Sequence, residues 1–184
     1  MARLRYFAIC SVDGFVADAS GRFDWAMPDT DVHEFVNDLE RPVGTYLYGR
    51  RMYDVMAGWD IDDPDRPTVA QKYAALWQRA DKLVFSSTLV EVWTARTRLV
   101  RRFDPAVVRQ LKTNSMRDLS VGGPGLAAAA FQAGLVDDVH LVVCPIVVGG
   151  GLAALPRELR QPLDLVEDHW FSNGMVYLRY RTVG

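Results

Sequence analysis

The strongest constraint on the fold is the alternation of short apolar segments with segments of helical periodicity along most of the chain. Apolar runs bounded by turn residues, typical of buried strands, occupy residues 6–10, 45–48, 82–86, 98–100 and 119–121. Helical spacing of apolar residues follows or precedes them at residues 32–39, 52–56, 69–79, 105–112 and 126–133. This order predicts an α/β fold with a mainly parallel central sheet and helices on both faces.

The C-terminal part breaks this alternation. Residues 139–148 form the longest apolar run and predict the longest strand, and residues 175–181 alternate apolar and polar side chains, as an exposed or edge strand does. No helical pattern separates the two, so we expect them to form an antiparallel strand pair. Without a linker or an internal repeat, residues 1–184 are expected to form a single domain.

Composition excludes several classes of function. The formal net charge of −2 gives the chain no general attraction to nucleic acid or to an anionic membrane. Cys10 and Cys144 lie in separate apolar runs, without a CxxC motif or a Cys/His cluster, which indicates buried free thiols and no metal site. With no apolar segment resembling a signal peptide at the N-terminus, we expect a cytoplasmic protein.

Ligands of open α/β sheets bind at the carboxyl ends of the strands, so the turns between strand and helix are informative. The first such turn is Gly49-Arg50-Arg51-Met52. Glycine allows close approach to the backbone, and a helix N-terminus favours an anion. Two arginines are poor partners for the helix dipole at that end, unless a pyrophosphate lies between them. The alternative is a solvated basic turn.

Two further turns resemble phosphate sites. Ser86 and Ser87 follow a strand, where their hydroxyl groups could bind a ribose or a phosphate, or equally cap the next segment. The third turn opens an alanine-rich helix with Gly122, Gly123, Pro124, Gly125 and Leu126. Its spacing differs from the GxGxxG fingerprint. Three phosphate-compatible turns in one sheet together predict a dinucleotide site.

Residues 96–117 carry seven Lys and Arg residues against a single acid, Asp104. A basic patch of this kind could face a 2′-phosphate and favour NADPH over NADH. The alternative is a solvated helix face balanced by the acidic residues 60–65.

At these turns the sequence resembles the dihydrofolate-reductase-like superfamily, specifically the reductase domain of bacterial riboflavin biosynthesis (the RibD C-terminal type). The resemblance covers about residues 3–181. It is carried by Ser11-Val12-Asp13-Gly14, Phe23-Asp24-Trp25, Gly49-Arg50, Ser86-Ser87-Thr88-Leu89, Val121-Gly122-Gly123-Pro124, and the segment from Gly134 to Gly151. Order and spacing, rather than any single piece, make the match specific.

The resemblance implies an NADPH site, a small heterocyclic substrate and a homodimer, with the strand from Val139 in the interface. Ile9, Val16 and Ala17 would lie near the nicotinamide. Gly49, Arg50, Arg51 and Met52 would hold the pyrophosphate, Ser86 and Ser87 would meet the adenosine ribose or its phosphate, and residues 122–126 would pass beneath the cofactor.

The acid that protonates the substrate is missing from both places where such reductases have one, because Thr30 and Gly122 occupy these positions. Asp13 is our first candidate for a carboxylate at the substrate and Asp31 the second, although an Asp-Gly turn alone would explain Asp13. Trp25 and Phe35 could stack on a flat heterocycle or serve only in packing. The chain is therefore interpreted as an NADPH-dependent reductase of a flat nitrogen heterocycle. One alternative is a dihydrofolate reductase with a relocated acid, and the other is a nucleotide-binding protein without turnover.

Overall fold

The structure, a computed structural model, describes residues 1–183. Its strands are β1 (Leu4–Ser11), β2 (Phe15–Asp18), β3 (Val43–Gly49), β4 (Asp81–Phe85), β5 (Thr97–Val100), β6 (Asp118–Gly122), β7 (Asp138–Cys144), β8 (Gly151–Ala153), β9 (Leu163–Trp170) and β10 (Val176–Thr182). Its α-helices are α1 (Thr30–Glu40), α2 (Arg50–Met56), α3 (Thr68–Arg79), α4 (Pro105–Asn114) and α5 (Pro124–Gln132). Short 3-10 helices lie at Asp24–Ala26 and Ala57–Asp60.

Eight of these strands form the central sheet, in the order β5-β4-β3-β6-β1-β7-β10-β9. The first six strands in this order, from β5 through β1 to β7, run parallel to one another. The last two, β10 and β9, are antiparallel to their neighbours. The predicted mainly parallel sheet with an antiparallel C-terminal pair is confirmed.

Helices cover both faces of this sheet, as predicted. On one face, Val108 of α4 and Ala127 of α5 are fully buried against strand residues such as Leu47 and Val121. On the other face, Trp77 of α3 packs with residues of β3 and β4, and residues of α1 pack on β7. Burial of these apolar side chains from water is the main force that fixes the helices on the sheet.

The helices begin and end at residues with known capping preferences. Asp29 caps α1, because its side chain accepts a hydrogen bond from the backbone N–H of Val32. Pro105 occupies the first turn of α4, and Gly134, at φ +62°, follows the end of α5. Helix α5 begins at Pro124, two residues before the predicted start at Leu126, because Pro suits the first helical position.

Three sequence predictions were wrong. The strand predicted over 139–148 ends at Cys144, before Pro145, and with 7 residues is shorter than β1 with 8. Strand β10 is interior rather than an edge, because β9 pairs with its outer side. Residues 13–25, whose Gly14, Gly21 and Asp-Ala-Ser-Gly cluster predict a loop, contain β2, which pairs with β8 in a separate two-stranded sheet.

Both cysteines are buried free thiols, as predicted. They lie close together on neighbouring strands. Cys144 of β7 pairs with Ser11 of β1, and Cys10 is the residue before Ser11. Burial raises the pKa of each thiol to about 11, so both stay protonated at neutral pH. Within residues 1–183, no helix has the length and apolar character needed to cross a bilayer.

Candidate functional site

The predicted turns meet at one edge of the sheet. Strands β1, β3, β4, β6 and β7 run parallel, so their carboxyl ends lie at the same edge. They end at Ser11, Gly49, Phe85, Gly122 and Cys144. The three turns that the sequence singled out follow β3, β4 and β6, which are neighbours in the sheet.

The first and third turns are in direct contact. A Cβ atom placed on Gly123 would lie 3.0 Å from the Met52 Cβ atom, and one placed on Gly49 would lie 3.9 Å from the Leu126 Cβ atom. Gly123 also has φ +86°, a conformation that favours glycine. The N-terminal turns of α2 and α5 therefore lie side by side, and Gly123 allows their close packing.

Gly122 is required by a neighbouring ring. A Cβ atom at this position would lie 2.7 Å from Cε1 of Tyr48, closer than real contacts allow. Tyr48 is 2% exposed, and its hydroxyl accepts a hydrogen bond from Trp77 Nε1 at 3.2 Å. A carboxylate therefore has no room at position 122 while Tyr48 stays in place.

The second turn lies next to the first. Arg50 is exposed, and its Nη1 atom is 3.5 Å from Oγ1 of Thr88, while Nε is 3.8 Å from Asp54. Ser86 Oγ accepts the backbone N–H groups of Thr88 and Leu89, at 3.3 and 3.0 Å. The hydroxyl of Ser86 thus caps its own turn, whereas Arg51 and Ser87 are exposed to an incoming ligand.

Two arginines after β5 border this second turn, because Ser86 N donates to Val100 O at 3.0 Å. The Arg101 guanidinium donates to the carbonyl groups of Leu89 and Val90 and so braces the turn. Arg102 is exposed and forms no ion pair within the described part of the chain.

The basic stretch 96–117 does not form one face. Arg96 forms an ion pair with Asp81 at 2.8 Å, at the amino end of β4, and Arg117 donates to the carbonyl of Arg41. Lys112 is buried against Asp137, with its Nζ atom 2.6 Å from the carboxylate. The predicted basic patch is thus reduced to Arg101 and Arg102 at the carboxyl edge.

The segment after β1 forms a flap with the segment after β7. Strand β2, with Val16 and Ala17, pairs with β8. The exposed Asp13 carboxylate accepts the N–H groups of Gly149 and Val148, at 2.7 and 3.2 Å. Hydrogen bonds from the Ser11 side chain and from these N–H groups hold the pKa of Asp13 below its ordinary value. At neutral pH, Asp13 is therefore an anion that joins the two segments.

The remaining predicted residues lie around the start of α1. Asp31 is exposed in the first turn, beside Asp29, whose second oxygen accepts Asn173 Nδ2 at 2.7 Å. Trp25, in the 3-10 helix before α1, packs on the core, and its buried Nε1 has no hydrogen-bond partner in residues 1–183. Ile9 on β1 borders the same cluster.

Phe35 is packed among other aromatic rings. Its ring stacks on His169 with centroids 5.0 Å apart and meets Tyr177 and Phe171 edge-on, at 4.8 and 5.3 Å. These contacts join α1 to β9 and β10 and correspond to the packing role that the sequence left open. His169 was not identified from the sequence, because its strand was not predicted.

Comparison with known proteins places the chain in a family. The RibD C-terminal domain matches residues 2–177. The uncharacterized protein YyaP of Bacillus subtilis (strain 168) is 29% identical over 178 residues, covering 95% of this chain and 92% of that protein.

Two solved structures have the same fold. A putative riboflavin biosynthesis protein from Shewanella sp. PV-4 superposes with a TM-score of 0.77 at 21% identity, covering 100% of both chains. A diaminohydroxyphosphoribosylaminopyrimidine deaminase/5-amino-6-(5-phosphoribosylamino)uracil reductase from Thermotoga maritima gives 0.69 at 13% identity, covering 99% of this chain and 57% of that one. The match to the family pattern extends over nearly the whole chain, so the chain belongs to the RibD C-terminal domain family.

Proposed function

We propose that the chain is an NADPH-dependent reductase of a flat nitrogen heterocycle, similar to 5-amino-6-(5-phosphoribosylamino)uracil. The observation that carries this proposal is the contact between the Gly49–Met52 and Gly122–Leu126 turns at the carboxyl edge of the sheet. These two adjacent helix N-termini, bordered by the exposed Arg50 and Arg51, suit the diphosphate of a dinucleotide.

The chain's own residues bind and orient the cofactor. Arg50 and Arg51 would neutralise the diphosphate, and Gly123 lets it approach the backbone. Ser87 and Arg102 lie where a 2′-phosphate would reach the turn after β4, which favours NADPH over NADH. The cofactor supplies the hydride when bound, and the protein supplies geometry and electrostatics.

The substrate would lie between the flap and the start of α1. Ile9, Val16 and Ala17 would form the wall near the nicotinamide, and the half-buried ring of Trp25 would lie nearby. Of the two predicted carboxylates, Asp31 forms no hydrogen bond or ion pair through its side chain within residues 1–183. We therefore propose that Asp31 assists protonation of the substrate. Asp13, held as an anion by two N–H groups, keeps the flap closed.

We also propose that the chain forms a homodimer through the edge of the sheet at β9. Leu165, Val166 and Trp170 of this strand are 55%, 42% and 75% exposed. An edge strand with exposed apolar side chains is a preferred surface for pairing with another chain.

Turnover with defined substrates tests the function. The purified protein is first titrated with NADPH and NADH by calorimetry, and then mixed with NADPH and a panel of pyrimidinedione, pterin and folate compounds. We expect saturable NADPH binding and loss of NADPH absorbance with the phosphoribosylaminopyrimidinedione. Turnover of dihydrofolate alone would favour the folate reductase, and binding without turnover would favour the non-catalytic protein. Failure to bind either cofactor would refute the proposal.

A further inference from the structure

A cavity of about 340 Å³ lies beside the flap, on the side of α5 that faces β8. Its lining includes Pro124, Gly125, Leu152, Leu155, Pro156 and Arg157. It thus joins two groups of residues that the proposed function assigns to the cofactor, the start of α5 and the flap. None of the residues 152–157 was singled out in the sequence.

The wall of this cavity is fixed by hydrogen bonds. Tyr6 Oη donates to the carbonyl of Ala154 at 2.5 Å, and the Ala154 N–H donates to Gly14 O at 2.8 Å. Gly151 lies so close to β2 that a Cβ atom there would be 2.1 Å from Ala17 O. The cavity is therefore a built feature of the fold.

The cavity contains one charged side chain. Arg157 is exposed, and its guanidinium lies 5.9 Å from the centre of the Phe15 ring. No carboxylate belongs to the lining, and Arg157 forms no ion pair in the part of the chain that the structure describes. The rest of the lining is aliphatic or glycine backbone. A cation at the rim of an otherwise apolar cavity suits an anionic group attached to a sugar or a ring.

We propose that Arg157 binds the phosphate of a phosphate ester held in this cavity. This inference rests on the proposed function, since it places the cavity in the same ligand site. Two phosphates could supply the chemistry: the diphosphate of the dinucleotide on the nicotinamide side, and the 5-phosphate of a phosphoribosyl substrate. Arginine suits either, because its planar fork binds two phosphate oxygens at once.

The test compares Arg157→Gln with the wild-type chain and with Arg160→Gln as a matched control. Arg160 is an exposed arginine three positions away that does not line the cavity. Calorimetry measures the Kd of NADPH in one arm and of ribose 5-phosphate in the other. We expect Arg157→Gln to weaken one of these ligands on the order of tenfold or more, and Arg160→Gln to change neither. The arm that responds identifies the source of the phosphate.

A charge-conserving variant separates binding from structure. Arg157→Lys should recover part of the lost affinity, and all variants should keep the wild-type Tm because the side chain is exposed. If the wild type binds NADPH and Arg157→Gln leaves both arms at wild-type values, the inference is overturned. If the wild type binds no NADPH, the proposed function fails, while the ribose 5-phosphate arm still decides the role of Arg157.

Discussion

The Asp13 carboxylate connects the segment after β1 to the segment after β7, with Oδ2 accepting the N–H of Gly149 at 2.7 Å. These residues are 136 positions apart in the chain. Their contact joins the segments that carry β2 and β8, and these two strands pair with each other. An Asp-Gly turn in the sequence thus serves as a long-range clasp.

Asp13→Asn should loosen this clasp, because an amide has only one acceptor oxygen for the two N–H groups. We expect cofactor Kd to rise roughly three- to tenfold and proteolysis to become faster within the flap. Asp24→Asn, at an exposed carboxylate before α1, is the control. A loss of kcat with unchanged cofactor Kd would instead identify Asp13 as the proton donor.

The pH dependence of the clasp has a definite sign. Because the folded pKa of Asp13 is below the ordinary value of 3.8, its stabilising effect is present above that value and is lost as the pH falls through the folded pKa. We therefore expect flap proteolysis to be constant between roughly pH 5 and pH 8. Acceleration in that range, absent in Asp13→Asn, would contradict the assignment.

Arg102→Ala should change the choice between cofactors. If Arg102 meets the 2′-phosphate, NADPH affinity falls on the order of tenfold, while NADH affinity stays the same. Arg98→Ala is the matched control, since Arg98 is an exposed arginine on the adjoining β5. Fluorescence titration with both cofactors measures the ratio, and an equal loss for NADPH and NADH would remove Arg102 from the 2′-phosphate site.

Local signals in the sequence predicted the approximate helix boundaries and the positions of the parallel strands along the chain. Asp29, Pro105 and Gly134 act on neighbouring backbone groups, so their effects can be predicted from short segments. The same holds for the glycine turns at the carboxyl edge, because parallel topology brings them together. Which ligand they bind is a property of the assembled site, and there the sequence could offer only the resemblance.

Long-range pairing was not predictable in the same way. Strand β9 was not predicted, because acidic residues interrupt its apolar pattern. It is stabilised by pairing with β10, which follows it after a turn, and this pairing is not visible in the β9 segment alone. Strand β8 was hidden behind Gly149-Gly150-Gly151, which signals a turn and not a strand. The role of Arg157 depends on this unpredicted flap, so no local pattern could identify it.

Gly151→Ala tests the close approach in the flap. Gly151 has φ +136°, and the new Cβ atom would collide with Ala17 O. We expect a loss of about 1–3 kcal/mol in unfolding free energy, measured by urea denaturation, or local opening of β2 from β8. Gly149→Ala is the control, because Gly149 also has positive φ but open space around its Cβ position. Equal losses in the two variants would show that backbone strain alone is responsible.

His140 should make stability depend on pH. Burial lowers the pKa of His140 to about 3, and its Nδ1 atom lies 2.8 Å from the Tyr177 hydroxyl. Between that pKa and the ordinary value of 6.5, the unfolded chain binds a proton that the folded chain cannot. This contribution to stability is present above pH 6.5 and falls as the pH decreases toward 3.

His140→Gln should therefore flatten this dependence. On lowering the pH from 7 to 5, the wild type should lose ~2 kcal/mol more unfolding free energy than the variant. Urea denaturation at the two pH values measures the difference. Equal slopes for His140→Gln and the wild type would show that another group controls the pH dependence.

Trp170→Lys should separate the proposed dimer. Trp170 pairs with Val176, and Leu165 pairs with Tyr180, so both exposed side chains lie on the face of the hairpin opposite Tyr177. A lysine there would have to be desolvated on association and would disfavour edge-to-edge pairing. We expect sedimentation velocity to show a dimer for the wild type and a monomer for Trp170→Lys. Trp93→Lys is the control, since Trp93 is 61% exposed but lies outside the sheet. The proposed pairing depends on apolar contact at the β9 edge. This interface would therefore be ruled out if the wild type is a monomer, or if Trp170→Lys leaves the dimer intact.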